Sequence, residues 1–206
     1  MLKKEYEILY EFIKTPWKKF TFKDIKNLSG KTSESYVHRC LKKYVEQGVL
    51  SQEKAGNVLL YSLNLRSIKT QCYAGFISEY VAWKKKYIPH DIIESIASKI
   101  PTSFYSLIIT GSYANNQQKK NSDIDMVIIC DGCFDPKQIY AELSHDCELS
   151  IPQIHLYVFK KLDFLLMLTN KKANYGKEIA NNCLIFAGGK EYYSIIQEAK
   201  QNGFNG

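Results

Sequence analysis

Apolar residues recur every three or four positions at the start of the chain. Leu2, Tyr6, Leu9 and Phe12 share the spacing of one buried helical face, and Pro16 ends the pattern soon after. Thr21 stands three residues before Asp24, the arrangement of a cap that opens a short helix carrying Phe22, Ile25 and Leu28. "SGK" turns the chain. A third helix is expected from about Ser33, with Val37, Cys40, Leu41, Tyr44 and Val45 inward and Gly48 as its stop. "VLSQEK" and "VLLYSL" around "AGN" read as a hairpin. From Ile68 to Ile88 the helical period returns, as a connector with an apolar stripe of Cys72, Phe76, Tyr80 and Trp83, flanked by Ile77 and Val81. The stripe is expected to pack on the second half or on a partner chain, the latter giving a homodimer. Pro89 ends it.

Beyond Pro89 the pattern alternates between the two periods. "HDIIESIASKI" predicts a helix closed by Pro101, and "FYSLIIT", "DIDMVIIC" and "PQIHLYVFK" predict strands. Helices are expected over about 136–147 and in "KLDFLLMLTNKK", "NYGKEIANN" and "KEYYSIIQEAKQ", with a short apolar "CLIFAG" among them. The expected fold class is α+β. Residues 1–66 form a helical unit with a hairpin, 67–88 a linker helix, and 89–206 a three-stranded mixed sheet flanked by helices.

Composition narrows the setting. No stretch approaches the roughly 18 apolar residues of a membrane span, and the start mixes acidic residues among its apolar ones, unlike a signal peptide. A cytoplasmic protein with no membrane partner is expected. Charge is uneven: residues 1–90 carry 17 Lys+Arg against 8 Asp+Glu, and the rest 11 against 13. A basic front half suits a polyanion, although a solvated lysine-rich surface gives the same count. The six cysteines lie mostly beside apolar residues and are expected reduced and buried. "CDGC" at 130–133, with His145 and Cys147, has zinc-ligand residue types, but one such pair at a strand end equally marks an Asp-Gly turn.

The order of elements over roughly residues 1–65 resembles the winged helix-turn-helix family. With Val37, Leu41 and Val45 inward, Ser35, His38, Arg39, Lys42 and Lys43 face outward, a set of donors suited to the phosphates and base edges of double-stranded DNA. Lys54, near the hairpin tip, suits a wing on the backbone. The alternative is a three-helix module used only for docking.

The second half carries the chemistry. Asp123 and Asp125, two apart on a strand, project from one face, and like charges so placed make sense around a divalent cation such as Mg²⁺. Gly111 permits close backbone approach, and the turn's N–H groups with the Ser112 hydroxyl suit phosphates. Gly111-Ser112-Tyr113-Ala114 and Ser122-Asp123-Ile124-Asp125 resemble the signature of the DNA polymerase beta-like nucleotidyltransferase superfamily, in its minimal branch, over about residues 90–200. The resemblance implies an NTP substrate, Mg²⁺ or Mn²⁺ on Asp123 and Asp125, nucleotide held by Gly111 and Ser112, and transfer of an NMP group to a hydroxyl. The chain departs from the family twice. Asn115-Asn116 replaces a common Arg-Gly, leaving Lys119 and Lys120 as candidate phosphate contacts or plain loop lysines. His155 falls where active members carry a third carboxylate, with Glu142 and Glu148 nearby in sequence. An imidazole serves as a base near neutral pH, or simply hydrogen-bonds a neighbour. The alternative function is a DNA-binding regulator of little or no catalytic power.

Overall fold

The computed structural model describes residues 4–206; Leu2, the first member of the opening periodicity, lies outside them. Helix α1 (Tyr6–Lys14) buries Ile8, Leu9, Phe12 and Ile13. A turn at Pro16 leads into β1 (Lys19–Thr21) and then α2 (Phe22–Leu28). The Thr21 hydroxyl accepts the Asp24 N–H at 3.2 Å, and the Asp24 carboxylate accepts the Thr21 N–H at 2.9 Å. This reciprocal cap contributes about 1 kcal/mol. Helix α3 (Glu34–Glu46), capped by Ser33, buries Val37, Cys40, Leu41 and Tyr44, while Val45 stays half-buried. Strands β2 (Leu50–Ala55) and β3 (Val58–Leu63) form the expected hairpin, and β1 pairs with the far edge of β3 in an antiparallel sheet of order β1-β3-β2. Three residues are too few to show a period, which is why β1 escapes a reading of the sequence.

Helix α4 (Ile68–Trp83) ends five residues short of the expected Ile88, and α5 (His90–Ala97) begins after Pro89. Then come β4 (Tyr105–Thr110), the single turn α6 (Gly111–Ala114), β5 (Ile124–Cys130), α7 (Pro136–Leu149), β6 (Ile154–Lys160), α8 (Lys161–Thr169), α9 (Tyr175–Asn181), β7 (Leu184–Ala187) and α10 (Gly189–Gln201). The sheet has four strands, not three, in the order β6-β5-β4-β7. The fourth comes from "CLIFAG", whose Leu184 and Ile185 pair with Ile109 and Ile108. β5 and β6 run parallel, and the other pairs antiparallel.

Alternation along β5 divides the core. Ile124, Met126, Ile128 and Cys130 join the cluster formed with α5 and α7, whereas Val127 and Ile129 join the one formed with α8, α9 and α10. That second cluster continues without a break into Ile8, Phe12, Leu41 and Tyr61 of the first sixty-six residues. Polar contacts follow the same route. The Tyr193 hydroxyl lies 2.7 Å from Ser78 Oγ and donates to the Ile13 carbonyl at 3.3 Å. Lys200 Nζ donates to the Pro16 carbonyl at 2.8 Å, and Phe204 packs edge-on against Trp17.

The face that α4 buries is not the predicted stripe. Thr70, Gln71, Ala74, Gly75, Ile77, Ser78 and Ala82 are inside, while Cys72 is exposed and Phe76 is 56% exposed. The cause is a close helix crossing: a Cβ on Gly75 would stand 2.5 Å from the Lys190 backbone nitrogen in α10. Backbones that approach so near admit only small residues between them, so the large apolar ones turn outward. Trp83 alone among the stripe's aromatics reaches the second half by hydrogen bond, donating its indole N–H to the Phe186 carbonyl at 2.9 Å. Glu79 accepts the Gly189 N–H at 2.7 Å and closes the crossing.

Candidate active site

β4 and β5 are in register so that Thr110 faces Asp125, and β5 and β6 so that Asp125 faces His155. One end of three adjacent strands therefore gathers these residues, with Asp123 just before β5. His155 Nε2 is 3.5 Å from Asp123 Oδ2, and His155 Nδ1 is 3.8 Å from Asp125 Oδ1. Both ring nitrogens thus face carboxylates, at distances longer than good hydrogen bonds.

Gly111 makes room for this. Its φ is +68°, a left-handed conformation that favours glycine, and a Cβ there would fall on the Asp125 carboxylate. Burial pushes the Asp125 carboxyl above its ordinary value; the His155 imidazole opposes the shift and the Asp123 charge adds to it. Two carboxylates that each stand within 4 Å of the same imidazole ring are of the hard-oxygen type that could hold a divalent cation. Among the described residues no group of three or more His, Cys, Asp or Glu forms a ready metal cage. Asp123 and Asp125 would thus supply two ligands, with water and phosphate completing the shell, as Mg²⁺ prefers. The imidazole beside them is better matched to Mn²⁺.

The second wall of this site comes from α9 and β6. A cavity of about 400 Å³ is lined by Thr110, Gly111, Asp125, Tyr157, Tyr175, Glu178 and Asn182. Asn182 Nδ2 donates to the Gly111 carbonyl at 2.9 Å, and the Thr110 hydroxyl donates to the Asn182 carbonyl at 2.6 Å. Tyr157 and Tyr175 are in ring contact at 4.8 Å. Burial pushes the Tyr175 hydroxyl above its ordinary value, and the nearby Tyr157 and Asp125 add to it.

The expected phosphate contacts are only partly here. Ser112 adjoins Gly111 and is half-buried; its carbonyl accepts the Gln117 N–H at 2.9 Å. Lys119 and Lys120 are exposed on the following loop, and neither lines the cavity. Glu142 and Glu148 are exposed on α7, also outside it. Tyr157, Tyr175, Glu178 and Asn182 were missed. The one trace of them in the sequence is that Tyr175, Glu178 and Asn182 recur at helical spacing.

In the front half, Ser35, His38, Arg39 and Lys42 are exposed along α3, as is Lys54 near the hairpin turn. His38 stacks on Phe22 with ring centres 3.9 Å apart, and Arg39 lies over the Tyr36 ring. Lys43 is half-buried and held by Glu5 at 2.7 Å, so its charge is largely neutralised. Of the "CDGC" pair, Cys130 is buried and Cys133 exposed; Cys72 is exposed too, against the expectation of burial. Among the described residues no helix is long and apolar enough to cross a membrane.

No curated protein matches the chain. A solved structure described as "Crystal structure of the toxin-antitoxin with AMP-PNP" is similar to it at 14% identity and a TM-score of 0.40, over 55% of this chain and 89% of that one. Residues 90–182, the segment that contains Gly111, Asp123, Asp125 and His155, match the family model of the nucleotidyltransferase domain.

Proposed function

We propose that the protein is a metal-dependent nucleotidyltransferase joined to a DNA-binding winged helix. The observation that carries this reading is the meeting of Asp123, Asp125 and His155 beside a glycine whose missing side chain leaves room for the Asp125 carboxylate. The match of residues 90–182 supports the same chemistry. Asp123 and Asp125 would hold a Mg²⁺ or Mn²⁺ ion, which would supply neutralisation of the charge on the nucleotide's phosphates. The Gly111-Ser112 turn positions the triphosphate, and Asn182 keeps that turn in place. An acceptor hydroxyl attacks the α-phosphorus; the new P–O bond forms as the bond to pyrophosphate breaks. His155 takes the hydroxyl proton, an imidazole being matched to that task near neutral pH. Positioning supplies most of the remaining rate.

The front half is assigned to duplex DNA on the exposed row Ser35, His38, Arg39 and Lys42, with Lys54 on the wing. A second reading, a regulator with little catalytic power, is favoured by one observation: His155 occupies the strand position opposite Asp125 where a third carboxylate is expected. Pyrophosphate release from each NTP with Mg²⁺ or Mn²⁺, over a broad acceptor set, decides between them. Release that disappears in Asp123→Ala/Asp125→Ala supports transfer; no metal-dependent release from any NTP removes it.

A further inference from the structure

Thr110, Tyr157 and Tyr175 bring hydroxyl groups to the cavity beside Asp125. They differ in how open they are. Thr110 is buried, and its hydroxyl is spent on the Asn182 carbonyl at 2.6 Å. Tyr175 is half-buried at the start of α9, with its ring against that of Tyr157. Tyr157 alone of the three is exposed, with 36% of its surface open.

Strand geometry sets Tyr157 on the reacting face. Along β6, Ile154 and Leu156 are buried while His155 and Tyr157 are exposed. The exposed pair therefore projects from one face of the strand, about 7 Å apart. In β5 alongside, Asp125 stands opposite His155 and Val127 opposite Tyr157. The phenol thus shares a strand face with the imidazole and a cavity with the Asp125 carboxylate.

We propose that Tyr157 is itself an acceptor, so that the protein transfers one NMP group to its own chain. The inference rests on the nucleotidyltransferase reading and names an acceptor hydroxyl for it. The Tyr157 oxygen forms a bond to the α-phosphorus of an NTP. The bond from that phosphorus to the bridging oxygen breaks, and pyrophosphate leaves with the electron pair. His155 takes the phenolic proton. An acceptor already fixed in the cavity needs no separate binding step, which favours transfer within one chain. The product is a tyrosyl phosphodiester. Its tethered nucleoside remains in a cavity of about 400 Å³ and excludes the next NTP, so the reaction stops at one NMP per chain.

The test incubates the full chain with ATP, GTP, CTP or UTP and Mn²⁺, with no added acceptor. Intact mass and peptide fragmentation then read the product. At least one NTP should add a single NMP to Tyr157, with a rate per chain that does not depend on protein concentration. Asp123→Ala/Asp125→Ala should give no adduct. Tyr157→Phe, which removes only the phenolic oxygen, should lose the adduct and keep the parent's urea midpoint. Site mapping on the parent chain stands whether or not that variant folds well. An adduct on another residue would overturn the inference, as would one that survives Tyr157→Phe or forms faster per chain as protein concentration rises. Metal-dependent pyrophosphate release with no adduct removes the inference and leaves the nucleotidyltransferase reading standing. No adduct and no release from any NTP, with or without added acceptors, removes both.

Discussion

Asn182 ties the end of α9 to the turn at Gly111, its side-chain amide donating to the Gly111 carbonyl across 2.9 Å. The Thr110 hydroxyl returns the bond at 2.6 Å on the Asn182 carbonyl. Residues more than seventy positions apart thus fix the geometry of one peptide turn. Asn182→Ala leaves the half-buried Gly111 carbonyl unpaired, at about 1–2 kcal/mol, near the usual cost of such a loss. Urea unfolding should record that change, and nucleotide affinity should fall with it because the turn is no longer held.

Gly111→Ala makes a sharper demand. The added Cβ meets the Asp125 carboxylate, and φ +68° disfavours any side chain. Metal-dependent nucleotide binding should drop at least about tenfold, in line with 1–3 kcal/mol of imposed strain. Unchanged binding by calorimetry would show that the Asp125 rotamer in the structure is not the one that acts.

Arg39→Ala and Lys42→Ala should weaken duplex-DNA binding and reduce the slope of log affinity against log salt by about one each if each meets a phosphate. Lys43→Ala should do much less, because Glu5 already holds that charge. Fluorescence anisotropy across a salt series measures all three. Equal losses would mean that the Lys43–Glu5 pair opens on DNA.

The cap of α2 titrates. Hydrogen bonds from the Thr21 backbone N–H and hydroxyl hold the Asp24 carboxyl below its ordinary value of 3.8. A folded-state value below the unfolded one means that the cap's ionic contribution is complete above about pH 4 and is lost as pH falls through the lowered value. Thr21→Ala should cost about 1 kcal/mol at neutral pH. The difference between Asp24→Asn and the parent should shrink as pH falls below the ordinary carboxylate range.

Local chemistry was legible in the sequence, and long-range packing was not. The Thr21–Asp24 cap, the hairpin around Gly56-Asn57, and the pair of aspartates at the start of β5, Asp123 just before it and Asp125 on it, all depend on neighbours within a few residues, so their spacing sufficed. α4 misled because hydropathy marks large residues as the buried ones, and here the approach of α10 at Gly75 and Gly189 put small and polar residues inside. β7 was too short to declare itself. Tyr175, Glu178 and Asn182 become part of the site only when α9 folds back over β4 and β6, which no local pattern encodes.

One core runs from α1 through α4 to α10, which predicts that the front and back halves unfold in a single transition. Tyr193→Phe removes the hydroxyl shared by Ser78 and Ile13 and should lower stability by about 1–2 kcal/mol while keeping that single transition. Two resolved transitions by calorimetry would contradict it.

Nucleotidyl transfer at Asp123 and Asp125 is tested most directly by comparing NTP labelled at the α-phosphorus with NTP labelled at the γ-phosphorus, each with Mg²⁺ or Mn²⁺ and an acceptor set. The α label should pass to an acceptor and the γ label should leave as pyrophosphate, both vanishing without metal and in the Asp123→Ala/Asp125→Ala variant. Transfer of the γ label instead, or α transfer that survives loss of both aspartates, would contradict the account.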